Sequence, residues 1–510
     1  MNSWSSGYVS DVLYNHGFYR ELTPPLLALT ALSRNVMSFC QDAPIKLCEL
    51  GCGQGFSSNL LASANRAIVY HAVDFNPAHI AGAQVLAARA GTPNVHFHER
   101  AFADLAAAPD LPGWFDVISL HGVYSWISPE NRGHVTAFIR ERLKPGGLVY
   151  ISYNALPGWA AAMPLRRLFV DHAATGNGPI LPRIDQALAF AKRVVEANPL
   201  YVRANPGIRE RLEKIQQQPR NYLAHEYFNR DWTPFYHADV AAELAGAKLS
   251  FVGSAHLLDH IDPINLTAEQ QALLAEVDDP THRETLRDYM VNQQFRRDVF
   301  VKGPVRLSLL ESRDRWLDTR FALSTTRSDV PLTVNGALGE AKLQAEVYAP
   351  LLDALAAGPR TLRQMMVDPV IAGLGWARIT QALTILVGTG HLHPALPADG
   401  DAERAHRTAA FNTAVMERAK SADDFHALAS PVTGGGIPVD RVEQLFLLGH
   451  QGKNADPVTF TWDTLAALGH RLNKDGKPLA TAEENLAHLR ERFGAFTEKR
   501  LPVLQKLGIS

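Results

Sequence analysis

The segment Lys46-Leu47-Cys48-Glu49-Leu50-Gly51-Cys52-Gly53-Gln54-Gly55 drives a short apolar strand into a glycine turn, and Phe56 to Leu61 then reads as the start of a helix. Glycines at 51, 53 and 55 lack the Cβ atoms that keep backbone away from a ligand, and they accept positive φ in a tight turn. The helix that follows offers N-terminal N–H groups to whatever occupies the turn. A purely structural glycine turn is the competing reading.

The neighbouring residues extend the pattern. Ala67 to Val73 reads as a second buried strand ending in Asp74, Asn94 to His98 as a third, Trp114 to Leu120 as a fourth and Leu143 to Ser152 as a turn and fifth strand. Strands alternating with helical stretches from about 45 to 152 predict a parallel sheet with helices on both faces. Ligands bind such sheets at the carboxyl ends of the strands. Glu49 to Gly55, Asp74, Phe102, His121 and Tyr153 all fall at those ends. An acid closing the second strand is suited to chelating a ribose diol.

A dinucleotide fingerprint G-x-G-x-x-G/A needs a small residue at position 56, where this chain has Phe. The acid two residues before G-x-G-x-G instead resembles motif I of class I S-adenosylmethionine (SAM) dependent methyltransferases, and Lys144-Pro145-Gly146-Gly147 before an apolar strand resembles a second hallmark of that family. Narrower still, His121-Gly122-Val123-Tyr124-Ser125-Trp126, Ser152-Tyr153-Asn154-Ala155-Leu156-Pro157-Gly158-Trp159, Gly7 to Asp11, Phe18 to Pro24, His225 to Phe228, Phe295 to Asp298 and Ala429 to Gly436 resemble bacterial methyltransferases that carry a methyltransferase regulatory domain. Rickettsial protein-lysine methyltransferases of outer-membrane proteins belong to that group.

The resemblance implies an α/β fold: a class I, Rossmann-like, seven-stranded domain over residues 1–305, with a helical lid inserted at about 160–230 and a regulatory region at about 215–300. The proline-interrupted stretch after strand five supplies the lid, His237 to Gly246 the delayed helix, Lys248 to Ser254 strand six and Asp298 to Lys302 an antiparallel strand seven. Residues 306–400 are expected as a winged-helix-like α+β unit, opened by a hairpin of Arg315 to Ser324 with Val330 to Val334. A helical region over 401–510 follows, with Gly434-Gly435-Gly436 a flexible joint.

The cofactor implied is SAM, giving S-adenosylhomocysteine. Its expected contacts are Glu49, Gly51, Cys52, Gly53, Gly55, Asp74, Phe75, Phe102 and His121, with Tyr14 and Tyr19 from an N-terminal segment folded over it and Arg20 a candidate for its carboxylate. Adenine recognition is expected on the Phe102 backbone, because Ala101 stands where many class I enzymes have an acid. Aromatic and carbonyl-bearing groups suited to an amine nucleophile are Tyr124, Trp126, Tyr153, Asn154 and Trp159, and His225 and Glu226 are candidates for a proton relay. The activity implied is methylation of lysine in a protein substrate. A small-molecule N- or O-methyltransferase and a SAM-sensing regulator are the alternatives, and a homodimer through the lid is implied by the resemblance alone.

Composition limits the partners. Fifty basic against 52 acidic residues give a formal charge of −2, so no global field favours nucleic acid or an anionic membrane. No apolar run is long enough to span a bilayer, and no basic start followed by an apolar stretch marks a signal peptide; a cytoplasmic enzyme is expected. Three cysteines, Cys40, Cys48 and Cys52, without a C-x-x-C pair suggest neither a disulfide framework nor zinc. The pairs His96/His98 and His391/His393 lack further ligands, so no metal is expected.

Overall fold

The computed structural model describes residues 16–39, 44–452 and 456–509; Tyr14, Cys40 and the Gly7 to Asp11 motif lie outside them. Ile45–Leu50 (β1) is buried along nearly its whole length, as a strand covered on both faces must be, which explains its near-continuous apolar character. It pairs in parallel with Ile68–Asp74 (β2) and with Phe115–Leu120 (β4). Val95–Glu99 (β3), Leu143–Asn154 (β5), Leu249–Ser254 (β6) and Phe295–Lys302 (β7) complete one sheet of order β3-β2-β1-β4-β5-β7-β6. Only β7 runs antiparallel. Strand order reverses between β1 and β4, the point at which open α/β sheets form a ligand crevice.

The expected seven-stranded sheet is therefore present. The Lys144-Pro145-Gly146-Gly147 turn lies inside β5 as a bulge, since Phe115 pairs with Leu143 but Val117 pairs with Leu148; Gly146 takes φ +78° there. β7 begins at Phe295, earlier than the apolar pattern suggests, because the charged pair Arg296-Arg297 continues the ladder with Tyr153 and Ser152. Between β5 and the helix His237–Ala245, five helices from Met163 to Tyr227 pack on a core of their own around Phe169, Ile184, Leu188, Leu212 and Leu223.

Beyond β7 the structure departs from the sequence reading. Leu309–Asp318 is a helix, not a hairpin arm: Ser308 caps it by accepting the Glu311 N–H at 3.2 Å, and Trp316 is buried. Arg320–Leu323 (β8) instead lies between Arg360–Thr361 (β11) and Leu392–Ala395 (β12), while Thr333–Gly336 (β9) pairs with Gly339–Lys342 (β10). Helices Ala345–Ala356, Leu362–Met365 and Trp376–Gly388 accompany this small sheet, whose central strand precedes them in the chain. The triglycine is no joint either. Ala427–Ser430 (β13) and Gly435–Pro438 (β14) form a buried hairpin turned at Gly434.

The last hundred residues do not stand apart. Helix Asp401–Ala419 packs on helices Phe56–Ala64 and Pro77–Ala90, and one apolar cluster runs from Leu60, Ile68 and Leu86 to Phe411, Leu445, Phe446 and Leu504. Every residue of Phe56–Ala64 is buried as a result.

Candidate active site

The glycine loop owes its shape to packing on both sides. Gly51 N–H and Cys52 N–H both donate to the Val73 carbonyl, at 2.8 and 3.0 Å, which ties the loop to the end of β2. Gly55 holds φ +66°, and a Cβ there would sit 2.5 Å from Ala83 Cβ and 2.7 Å from Phe97. Only glycine fits that meeting of loop, helix and strand. Gly53, at φ +53°, meets nothing within 4 Å of a built Cβ and lines the cleft.

Glu49, at the end of β1, is buried behind the loop and accepts a hydrogen bond from Ser58 Oγ. Burial first, and then the charge of Asp74, push its carboxyl up to about 7. Asp74 accepts Gly53 N–H on Oδ2 at 2.9 Å and Asn76 N–H on Oδ1 at 2.9 Å, with His79 Nδ1 at 3.3 Å. A carboxylate offers about four lone-pair positions, and these contacts account for three of them. Burial pushes the Cys52 thiol well up, which makes it a poor nucleophile.

The opposite wall is aromatic. His121, just after β4, contacts Tyr150 Oη through Nδ1 at 2.8 Å, and its ring stacks on Tyr19 with centroids 3.7 Å apart. Burial and the nearby Arg297 hold it down to about 3, so it is neutral. Tyr19 belongs to a segment over residues 16–23 that crosses the loop, where Ser57 Oγ donates to the Gly17 carbonyl at 2.9 Å. Arg20 points elsewhere: its guanidinium donates to the Val387 carbonyl and does not line the cleft.

These residues enclose a cleft of about 470 Å³, within the range of small-ligand sites. Glu49, Gly51, Cys52, Gly53, Gly55, Asp74, Phe75, Phe102, His121 and Tyr19 all line it, as do His225 and Glu226. Of the five residues expected around an amine, it takes only Trp126. Tyr124 is fully buried with its hydroxyl on Glu243, and Tyr153 is fully buried with its hydroxyl on Asp298 at 2.7 Å. Asn154 uses its backbone to bridge Ser125 and Phe235. Trp159 packs against Trp232 and under the Arg211 guanidinium, 4.1 Å from its ring centre. Tyr124, Tyr153 and Asn154 are buried and Trp159 is half-buried, in places that the sequence shows only as strand ends and aromatic runs. The sequence reading also missed His16, Val123, Ser128, Asn229 and Asp231, which reach the cleft from loops whose course no periodicity encodes, and Asn131, in the first turn of the helix Pro129–Arg142.

Arg296 explains why Tyr153 lies inward. Its guanidinium, 4% exposed, meets Asp298 at 2.9 Å, Asp288 at 2.5 Å and Glu284 at 2.8 Å. Asp298 also contacts His237 Nδ1 at 3.2 Å. Despite burial, Arg296 and His237 hold the Asp298 carboxyl down to about 2, whereas burial pushes Asp288 up to about 7.

Comparisons with known proteins bear on this geometry. A family model described as a methyltransferase domain matches residues 48–149, and one described as a predicted methyltransferase regulatory domain matches residues 219–302. The uncharacterized protein sll1526 of Synechocystis sp. is 45% identical over 508 residues, 100% of both chains. The uncharacterized protein RP789 of Rickettsia prowazekii is 26% identical over 273 residues, 52% of this chain and 47% of that one. Among solved structures, PKMT2 from Rickettsia typhi has a TM-score of 0.69 at 17% identity, covering 97% of this chain and 99% of that chain. Its complex with AdoHcy has a TM-score of 0.68 at 18% identity, covering 95% and 98%. These likenesses establish a shared fold.

Proposed function

Because the chain belongs to the class I SAM-dependent methyltransferases that carry a methyltransferase regulatory domain, we propose that it methylates lysine side chains of a protein substrate at the cleft beside Glu49 to Gly55. One observation carries the reading. The cleft that the glycine loop lines is also lined by Trp126, Glu130, Glu226 and Asp231. Carboxylates and an aromatic face together suit an alkylammonium group.

The cofactor, SAM, fits the residues present. Gly53 leaves an open face toward which backbone can close on a ligand. Asp74 would hold the ribose hydroxyls, Phe75 and Phe102 would receive the adenine, and Glu49 with the Tyr19–His121 stack would receive the methionine part. When bound, SAM supplies a methyl group on a sulfonium, which is already a good leaving group. The chain's task is then to orient the amine, and orientation of two reactants is worth roughly 7–11 kcal/mol of barrier. A lysine ammonium, which in water gives up its proton only near pH of about 10.4, must first be deprotonated. Burial beneath the insertion favours the neutral amine, and His225 and Glu226 on the cleft wall are the groups that carry the proton toward solvent.

The reaction is taken to be cytoplasmic in this proposal; among the described residues no helix is long and apolar enough to cross a membrane. Purified wild type and Asp74→Ala, incubated with methyl-labelled SAM and bacterial lysate, test it. Label in a lysine of a protein band with wild type alone supports the proposal. Label confined to small molecules favours a small-molecule methyltransferase, and SAM binding without any label a regulator.

A further inference from the structure

Phe56 occupies the first turn of the helix after the glycine loop, where a dinucleotide fold would need a small residue. Its ring does not face the sheet alone. Phe425, from the segment before β13, stacks on it with centroids 4.6 Å apart and an interplanar angle of 16°. The same Phe425 ring meets His16 edge-on at 4.9 Å and 86°. Both Phe56 and His16 line the cleft, so one C-terminal ring touches the first residue of the helix that follows the cofactor loop and the segment that crosses that loop.

Further contacts hold the same crossing segment. Asp424 Oδ2 lies 3.8 Å from His16 Nδ1 and is itself gripped by Arg418, whose guanidinium also sits 5.0 Å from the Phe425 ring centre. A Cβ on Gly435 would approach Thr23 to 2.9 Å, and one on Gly436 would approach Phe18 to 2.9 Å, so the β13-β14 hairpin lies flat against residues 18–23. Residues 16–23 contain only the short 3-10 turn Arg20–Leu22. They have little internal structure with which to hold their place over the loop.

We infer that Phe425 is a positioning residue for the cofactor cleft: through Phe56 and His16 it fixes the spacing between the glycine loop and the segment that covers it. The C-terminal region thereby belongs to the cofactor site without contributing a wall to it. This inference rests on the cleft being where SAM binds.

The test uses the full chain and AdoHcy as the probe, with affinity read by calorimetry and hydrogen exchange read over residues 16–23. Phe425→Leu keeps an apolar side chain but loses the ring pairings; it is expected to weaken AdoHcy about tenfold and to speed exchange in 16–23. Val442→Ala, in the same apolar cluster but outside the cleft lining, lowers Tm while leaving AdoHcy affinity and that exchange as in wild type. In wild type, AdoHcy is expected to slow exchange over 424–438, since coupling between two sites is reciprocal. Wild-type affinity and exchange in Phe425→Leu overturn the inference, as does an equal loss of affinity in Val442→Ala. Failure of the wild type itself to bind AdoHcy removes the cleft assignment first.

Discussion

The Tyr153 hydroxyl donates to Asp298 Oδ2 at 2.7 Å, joining the end of β5 to an ionic cluster centred on Arg296 rather than to the cleft. Tyr153→Phe is therefore expected to cost about 1.5–3 kcal/mol of stability, the worth of a hydrogen bond to a charged group, and to leave SAM affinity within twofold (about 0.4 kcal/mol). Urea unfolding and calorimetry on the same preparations measure both.

Asp74→Asn keeps the size of the side chain but removes the charge that organises Gly53 N–H, Asn76 N–H and the incoming hydroxyls. SAM affinity is expected to fall by about 10- to 100-fold, the equivalent of one charged hydrogen bond. An affinity unchanged in calorimetry would mean that Asp74 serves the loop alone.

The three loop glycines should separate in a substitution series. Gly55→Ala meets Ala83 and Phe97 at a left-handed backbone, adding about 1–3 kcal/mol of overpacking to about 1–2 kcal/mol of backbone cost. Gly53→Ala carries only the backbone cost in stability, yet its methyl group occupies the face left for the ligand. Thermal denaturation should rank Gly55→Ala as the less stable protein, while Gly53→Ala should lose cofactor affinity with a smaller change in Tm.

Glu49 supplies a pH test. Its folded pKa, raised to about 7, exceeds the unfolded value of about 4.3, so the apo fold loses stability from this group as pH rises from about 4 to 7. The cationic cofactor favours the ionised carboxylate. SAM affinity should therefore increase with pH up to about 7, by at most about tenfold per unit, and level off above it. Glu49→Gln should flatten that part of the profile. Asp298 works in the opposite sense: its contribution is complete above about 3.9 and disappears as pH falls toward about 2.

The parallel sheet was legible because β1, β2, β4 and β5 are short apolar runs punctuated by Gly51, Asp74, His121 and the KPGG segment, and each punctuation mark falls at a strand end or bulge. The cofactor loop was legible for the same reason: its chemistry is local. Tyr153 was misread because strand alternation says which residues share a face, not whether that face meets a cleft or a partner such as Asp298, and Tyr124 because the 3-10 turn that carries it inward to Glu243 has no periodic signal. The Ser308-x-x-Glu311 capping box was present in the sequence and would have identified Leu309–Asp318 as a helix. Nothing local could have linked Phe56 to Phe425, since the pairing depends on how residues 401–509 return to the sheet.

That return bears on the order in which the protein can be made. The helix Phe56–Ala64 is buried on every side because helix Asp401–Ala419 and the β13-β14 hairpin cover its outer face. During synthesis the first 300 residues leave the ribosome with the outer face of that helix bare and the segment over residues 16–23 without its C-terminal support. Ordering the whole site must wait for contacts of very large sequence separation, which form late. The nascent sheet is in the meantime exposed to aggregation, and the contacts that support the cleft are complete only once the β13-β14 hairpin has been released.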